Sequence, residues 1–567
     1  MEFRRQKRII QTFWIFIFCF ALLLCRLFVV QIRHSADYAA KAEAQQNQII
    51  PLEEVARGDI LDRNKVPLTG SGFVPKVIVL PYLMKDKVTT AHRLGSILQA
   101  DPQVLLARFA GRPGMLPNEI SLRQAQAIKR MRLEGVQVYY IKKRYDVNPL
   151  AVHLIGHLGK ISGAELARYA SNPMQKAYSR TDLIGKIGLE RYYERWLKGT
   201  RYETYLQIPT DAKNRPLKGL DVKVNKVKDP GRNHLILTID KRIQLIAEQA
   251  LDRHKIAAGA VVVMDIRSGD ILALASRPVF DPNNISSALQ NNDQGNVFLD
   301  NCLQFLQPGS VFKPVVAAAA LELGAVRPDS RFLCLGERDE PVKCYRKEGH
   351  GLISFAEAMA YSCNPVFARV GQKIGAANLI EYARKLGFAE NGVIGIPHAG
   401  DAGENLAKLT EPYTIVNSSI GQGPVLVTPV QVTAMMAAIA GDGIYKKPRL
   451  VMGILDSNYN LTKAFAPDAG ERALSPETSR TLREMFKGVT TMGTGKLAYV
   501  PGWGSAGKTG SAQVDKNQGI VDAWFTGYAP LDAPRYAVTV LIKGGESGGK
   551  SAAPVFREIM ETMLLLK

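Results

Sequence analysis

The 567-residue sequence has a single long hydrophobic run, and it lies close to the N-terminus. No second membrane span is expected, because the closing "METMLLLK" is too short to cross a bilayer and fits a packed amphipathic helix. Internal repeats and low-complexity tracts are also missing, which excludes solenoids and compositionally biased tails. Acidic residues are scarce: 52 Asp+Glu against 73 Lys+Arg leave a net charge of +21. That balance invites a nucleic-acid reading, yet no zinc-finger, RRM or Walker A pattern occurs and the basic residues are scattered. No nucleic-acid partner is expected. A diffuse basic surface suits anionic lipid headgroups and cell-wall polymers instead.

What is present begins with "MEFRRQKR", a basic cluster, followed by the 17 uncharged residues "IIQTFWIFIFCFALLLC", then Arg26 and "LFVVQI". Seventeen residues is the short end for a span but too long for a usual signal-peptide core. Arg26 can snorkel to the far interface, which extends the span past it. No small-residue cleavage site follows closely. The segment therefore reads as an uncleaved single-pass anchor with the basic cluster inside and everything after about residue 33 exported.

At this length the chain has room for several domains, and 46% hydrophobic content supports a buried core. Residues 1–33 read as tail and anchor, 34–232 as a first exported domain, and 233–567 as a second. In the first, "RGDILDRNKVPL" reads as strand, turn, strand, and "VTTAHRLGSILQADPQVLLARFA" has helical periodicity capped by Thr90 or a neighbour. Residues 183–199 read as one amphipathic helix. No catalytic constellation is apparent there. The second domain opens with strand, helix and two strands joined at Ser268–Gly269, and closes with two strands and a helix. Strands at both ends that come together predict an α+β fold around an antiparallel sheet flanked by helices.

Ser and Lys stand three apart at Ser310/Lys313, Ser505/Lys508 and Ser547/Lys550. Only on a helix do such residues share a face, and the last two pairs lie in glycine-rich stretches. Ser310 and Lys313, in "QPGSVFKP", precede the alanine-rich "PVVAAAALELG", and Pro314 is harmless only in a first turn. Ser310 is thus placed at a helix start, with a lysine one turn on to take its proton. Two further stretches supply partners. "YSCNPVF", a break between the helical "LISFAEAMA" and "PVFARVGQKIG", holds Ser362 and Asn364. "SAGKTGSAQV" holds Lys508, Thr509 and Gly510 on a sequence suited to an edge strand.

SxxK, SxN and KTG in this order resemble the penicillin-binding protein and serine β-lactamase superfamily. "RGDILDRN", "GKIGLERYYE", "GAVVVMDIRSGDILALAS", "GQGPVLVTPVQ" and "AWFTGYAP" are similar to class B penicillin-binding proteins, so the likeness spans nearly the whole chain. It implies a transmembrane helix, an elongated non-catalytic pedestal (dimerisation-type) domain and a penicillin-binding transpeptidase domain. It also implies a D,D-transpeptidase that cross-links peptidoglycan stem peptides and is acylated by β-lactams, with a SEDS-type glycosyltransferase as partner. Ser310 would be nucleophile and Lys313 general base. Ser362 would relay a proton, Asn364 would hold the substrate amide, and Lys508 would tune Ser362. Thr509 would bind the carboxylate, with Gly510 permitting close approach and Ser511 supplying a backbone N–H to the oxyanion hole beside that of Ser310. A bifunctional class A enzyme would need a glycosyltransferase domain, and a β-lactamase a deacylating glutamate in an ExxLN-like stretch; neither signature is found. A membrane-anchored penicillin sensor or scaffold is the alternative of a different class.

The chemistry needs no cofactor. Cys334, Cys344, His350 and Cys363, however, form C-x9-C-x5-H-x12-C, a full tetrahedral zinc set, with Cys363 inside the SxN motif. A Cys334–Cys344 disulfide and buried free thiols are the other readings. The resemblance extends to elongation-type class B enzymes that bind zinc near this place through aspartate, histidine and cysteine; Cys334 and Cys344 here replace carboxylates.

Overall fold

The computed structural model describes residues 2–33, 47–171, 177–211, 213–290, 297–390, 392–396, 406–411, 414–515 and 519–566. The N-terminal helix Glu2–Phe28 runs into a π-helical turn, Val29–Arg33, and Ile10–Ile32 is long and apolar enough to cross a bilayer, with mean hydropathy 2.7. From residue 47 onward the chain packs into β-sheets and helices. By packing it resolves into two compact units: 1–56, 72–144 and 201–229 in the first, and 57–71, 145–200 and 230–567 in the second.

The first unit holds two three-stranded antiparallel sheets. In one, Phe73–Val79 lies between Gly114–Glu119 and Val136–Lys142; in the other, Thr204–Pro209 lies between Asn47–Pro51 and Lys223–Lys226. The periodic stretch after residue 87 forms two helices rather than one, Lys87–Leu98 and Pro102–Phe109, because Gln99 turns left-handed at φ 54° and Asp101 caps a new start at Pro102. The first cap is Asp86, whose carboxylate accepts from the N–H groups of Val88 and Thr89; Thr90 instead donates its hydroxyl back to the Asp86 carbonyl.

The second unit is built on a five-stranded sheet. Its principal elements are α1 (Lys241–Arg253), β1 (Gly259–Asp265), β2 (Ile271–Arg277), α2 (Lys313–Glu322), α3 (Asn364–Lys385), α4 (Pro429–Ala440), α5 (Pro476–Thr491), β3 (Ala506–Asp515), β4 (Ile520–Ala529), β5 (Tyr536–Ile542) and α6 (Ala553–Leu564). The sheet order is β2-β1-β5-β4-β3, wholly antiparallel, so strands from the start and the end of the domain meet at β1 and β5; the domain's opening strand, His234–Leu237, is instead in a separate four-stranded sheet between Ile60–Leu61 and Val451–Leu455. Strand alternation sorts the core into two layers. Val261, Val263, Phe525, Val538 and Val540 pack with α1 and α6, while Val262, Met264, Trp524 and Leu541 pack with α2 and α4. Burying each such side chain contributes about 1.5–3 kcal/mol. α2 is apolar all round and buried along its length from Lys313 to Ala320, which places it inside the molecule rather than on it.

Two expected helices are corrected. Residues 183–199 form a short strand, Leu183–Gly185, and two single-turn helices, Gly188–Tyr192 and Glu194–Leu197. Leu183–Gly185 is claimed by pairing with Leu158–Lys160, and Gly185 and Gly188 both lie where a Cβ would strike backbone within 2.6 Å. The bend lets Glu190 and Glu194 close on the fully buried Arg57 guanidinium at 2.5 and 2.7 Å. In "LISFAEAMA" the helix is only Phe355–Ala360, capped by Ser354 with Glu357; Gly351–Ser354 is a strand, held by Arg331–Cys334. A partner distant in sequence overrides local propensity in both cases.

Candidate active site

Ser310 lies in a 3-10 turn, Gly309–Phe312, that leads straight into α2, whose first residue is Lys313. The turn forms because Gly309 takes φ 55°, and a neighbouring loop clamps it: Gly309 N–H donates to the Gly421 carbonyl at 2.9 Å. A Cβ on Gly421 would come within 1.8 Å of that same Gly309 carbonyl, so the loop can approach only as glycine. Ser310 reaches a cleft of about 800 Å³ whose lining includes Ser362, Asn364, Thr509, Gly510 and Ser511.

Lys313 is fully buried, and its Nζ donates to Asn364 Oδ1 at 2.7 Å, the Ser362 carbonyl at 2.8 Å and Ser362 Oγ at 3.2 Å. Lys508, also fully buried, donates to the same Ser362 Oγ at 2.9 Å. With both lone pairs of the hydroxyl occupied by lysine donors, the Ser362 proton is free to point into the cleft. Burial lowers the Lys313 amine to about 7, against an opposing pull from the thiols of Cys363 and Cys344. Burial, reinforced by repulsion from Lys313, drives Lys508 well below the ordinary lysine value. Among the described residues no hydrogen bond joins Lys313 to the Ser310 hydroxyl; the lysine is instead tied to the SxN turn.

That turn is strained. Ser362 adopts φ 55°, a left-handed conformation that costs a non-glycine residue about 1–3 kcal/mol. Cys363 then caps α3, and Asn364 is its first residue. On the other wall, β3 is the edge strand expected of "GKTGSAQ", and its Gly510 faces the Ser310 turn: a Cβ there would come within 2.9 Å of the Pro308 carbonyl and the Val311 side chain. The backbones of Gly309 and Ser511 are equally close, with 3.0 Å from the Gly309 Cβ position to Ser511 C. Of the eight expected site residues, six line this cleft, and the other two, Lys313 and Lys508, are buried beside it, each donating to Ser362 Oγ. The structure adds residues that motif reading misses: Tyr345, Gln422, Thr494 and Lys496 also line the cleft. Thr494 stands between Gly493 and Gly495, and a Cβ on Gly493 would meet the Ala360 carbonyl at 2.2 Å.

Beside the SxN turn lie Cys334, Cys344, His350 and Cys363. Their four donor atoms fall within 4.8 Å of one another, the one such cluster among the described residues. The loop between them is folded back on itself: Glu337 N–H donates to the Lys347 carbonyl and Cys344 N–H to the Gly336 carbonyl. Each thiol is free. His350 Nδ1 is 3.5 Å from both Cys334 Sγ and Cys344 Sγ. Tetrahedral bonds of about 2.3 Å to sulfur and 2.0–2.1 Å to nitrogen require an S···N edge of about 3.5 Å, so the donor set fits zinc. A Cys334–Cys344 bridge would give no reason for His350 and Cys363 to converge on the same point.

Residues 259–561 match the family described as the penicillin-binding protein transpeptidase domain, and residues 52–233 the penicillin-binding protein dimerisation domain. The chain belongs to the penicillin-binding transpeptidases. It is an enzyme of the serine acyl-transferase type, with peptidoglycan as the substrate class and β-lactams as its ligands, and the one helix long and apolar enough to cross a bilayer among the described residues makes it a single-pass membrane protein. Among curated relatives, stage V sporulation protein D of Bacillus subtilis is 29% identical over 99% of this chain and 85% of the relative. The peptidoglycan D,D-transpeptidase MrdA of Acinetobacter baumannii is 28% identical over 97% and 86%. Among solved structures, a chain of a peptidoglycan synthase complex shares the fold with TM-score 0.72 at 24% identity, each chain covered to 99%. The D,D-transpeptidase domain of a peptidoglycan glycosyltransferase from Eggerthella lenta superposes with TM-score 0.59 at 26% identity, covering 76% of this chain and 94% of that one.

Proposed function

We propose that this penicillin-binding transpeptidase cross-links peptidoglycan stem peptides on the outer face of the membrane, with Ser310 as nucleophile. The observation that carries this reading is the shared hydroxyl of Ser362, held by two buried lysines at the mouth of the Ser310 turn. Ser310 Oγ attacks the carbonyl of the penultimate D-alanine while neutral Lys313 takes its proton. The oxyanion is held by the N–H groups of Ser310 and Ser511. As the C–N bond breaks, Ser362 gives its proton to the departing D-alanine amine and is reprotonated through the lysines. Asn364 holds the substrate amide and Thr509 the terminal carboxylate. An acceptor amine then attacks the ester, its proton returns to Ser310 Oγ, and a new amide bond remains.

Transfer tests this reading. Purified full-length protein in detergent, given a D-Ala-D-Ala-ending stem peptide and a labelled D-amino acid, is expected to release D-alanine and incorporate the label stoichiometrically. Slowly released penicillin acylation without any transfer would favour a sensor instead.

A SEDS-type glycosyltransferase is the proposed partner, in keeping with the synthase complex in which a structural relative was solved. Cys334, Cys344, His350 and Cys363 are proposed to hold a structural zinc; a closed Cys3His set lends the surrounding loop rigidity and leaves no position for substrate. Protein purified without added metal should then carry about one equivalent of zinc. Chelation should lower its melting temperature by several degrees and slow acylation, because Cys363 sits between Ser362 and Asn364. Less than about a tenth of an equivalent, with two of the four thiols masked until reductant is added, would establish the disulfide instead.

A further inference from the structure

Thr494 lies outside all three motifs, yet its hydroxyl is 2.6 Å from Thr509 Oγ. Its backbone is fixed on both sides. The Thr494 N–H donates to the Ala360 carbonyl at 3.1 Å, two residues ahead of Ser362, and its own carbonyl lies where a Cβ on Gly549 would come within 2.4 Å. Thr494 therefore spans from the SxN wall of the cleft to its KTG wall. Neither hydroxyl of the pair makes another hydrogen bond among the described residues.

Proton bookkeeping gives this contact a direction. A hydroxyl has one proton to donate, whereas a carboxylate only accepts. When a carboxylate rests on Thr509 Oγ, the Thr509 proton must go to it, and only the Thr494 proton is left to fill the 2.6 Å contact. We propose that Thr494 is a positioning residue for carboxylate recognition. Its O–H donates to Thr509 Oγ, holds that rotor with its proton facing the cleft, and polarises it toward the terminal carboxylate of a stem peptide or β-lactam. The proposal rests on the reading of Thr509 as the carboxylate donor given above.

The comparison that isolates this contact uses benzylpenicillin and its methyl ester, with the second-order acylation rate of the full-length protein measured for each. The acid-to-ester ratio reports carboxylate recognition and is indifferent to a general loosening of the cleft. Thr494→Val keeps the shape and removes the donor; it should lower the ratio about tenfold, the loss of one hydrogen bond that orients the carboxylate's donor. Thr494→Ser should restore the ratio to within about twofold, since its hydroxyl can make the same bond. If Thr494→Val lowers the melting temperature, Thr494→Ala carries the same comparison, because the backbone bond to Ala360 remains. Equal losses on acid and ester, or a serine variant that behaves like valine, would overturn the proposal. Thr509→Val is measured alongside. A ratio unchanged by Thr509→Val removes the carboxylate reading of Thr509 and this role with it, whereas a ratio lowered by Thr509→Val and not by Thr494→Val removes the role of Thr494 alone.

Discussion

Ser310→Ala should abolish covalent labelling by a fluorescent penicillin and leave the fold intact. The side chain is partly exposed at the cleft, and its hydroxyl makes no hydrogen bond among the described residues, so little structure depends on it. The expected change in stability is within about 0.5 kcal/mol. The expected loss of labelling is complete, because the neighbouring hydroxyls of Ser362, Thr494, Thr509 and Ser511 are each tied up in hydrogen bonds. Labelling of the alanine variant at a rate comparable to wild type would overturn the assignment of the nucleophile.

Lys313 carries the second large effect. Its replacement by alanine should slow acylation about a thousandfold, the range expected when a general base is lost, whereas Lys550→Ala should change it less than about twofold, being a surface ion pair with Glu546. A large loss at Lys550 with a small one at Lys313 would mean that the wrong serine–lysine pair had been chosen. The pH profile separates chemistry from packing. With its amine lowered to about 7, Lys313 is the neutral, proton-accepting form above that value and is protonated below it. Wild-type acylation should therefore fall about tenfold per pH unit below pH 7 and level off above it. An ordinary lysine would leave fewer than about one amine in a thousand neutral at pH 7, and the rate would still be climbing at pH 9. A profile still rising there would sink the role assigned to Lys313.

Much of the site is legible in the sequence because glycine and proline punctuate it. Pro314 restricts where α2 can begin, and the small residues of "GKTGSAQ" mark an edge strand that must pass close to another chain segment. The strand–turn–strand around Ser268–Gly269 is read from alternation in the same way. What escapes is whatever a distant partner decides. Gly351–Ser354 is a strand only because Arg331–Cys334 lies beside it, and residues 183–199 break where Leu158–Lys160 claims a strand. The contact between Thr494 and Thr509 spans fifteen residues and a turn of the fold, and no spacing announces it. The left-handed Ser362 is likewise invisible, since serine has no preference for that conformation. The metal-type cluster is the opposite case: three cysteines and a histidine, a full tetrahedral number, foretell the convergence that the folded loop supplies.

The position of β3 at the end of the sheet has a consequence for what the enzyme can accept. β3 pairs with β4 alone among the described strands, and Thr509, Gly510, Ser511 and Gln513 line the cleft. An extended peptide laid along this edge becomes a guest strand, held through its main-chain amides rather than its side chains. Recognition of that kind measures backbone handedness and the distance from the reacting carbonyl to the chain end, and it is nearly blind to what each residue displays. A rigid bicyclic molecule with an amide, a carbonyl and a carboxylate at the same intervals satisfies such a ruler as well as a peptide does, so an edge that reads the main chain leaves the enzyme open to mimicry.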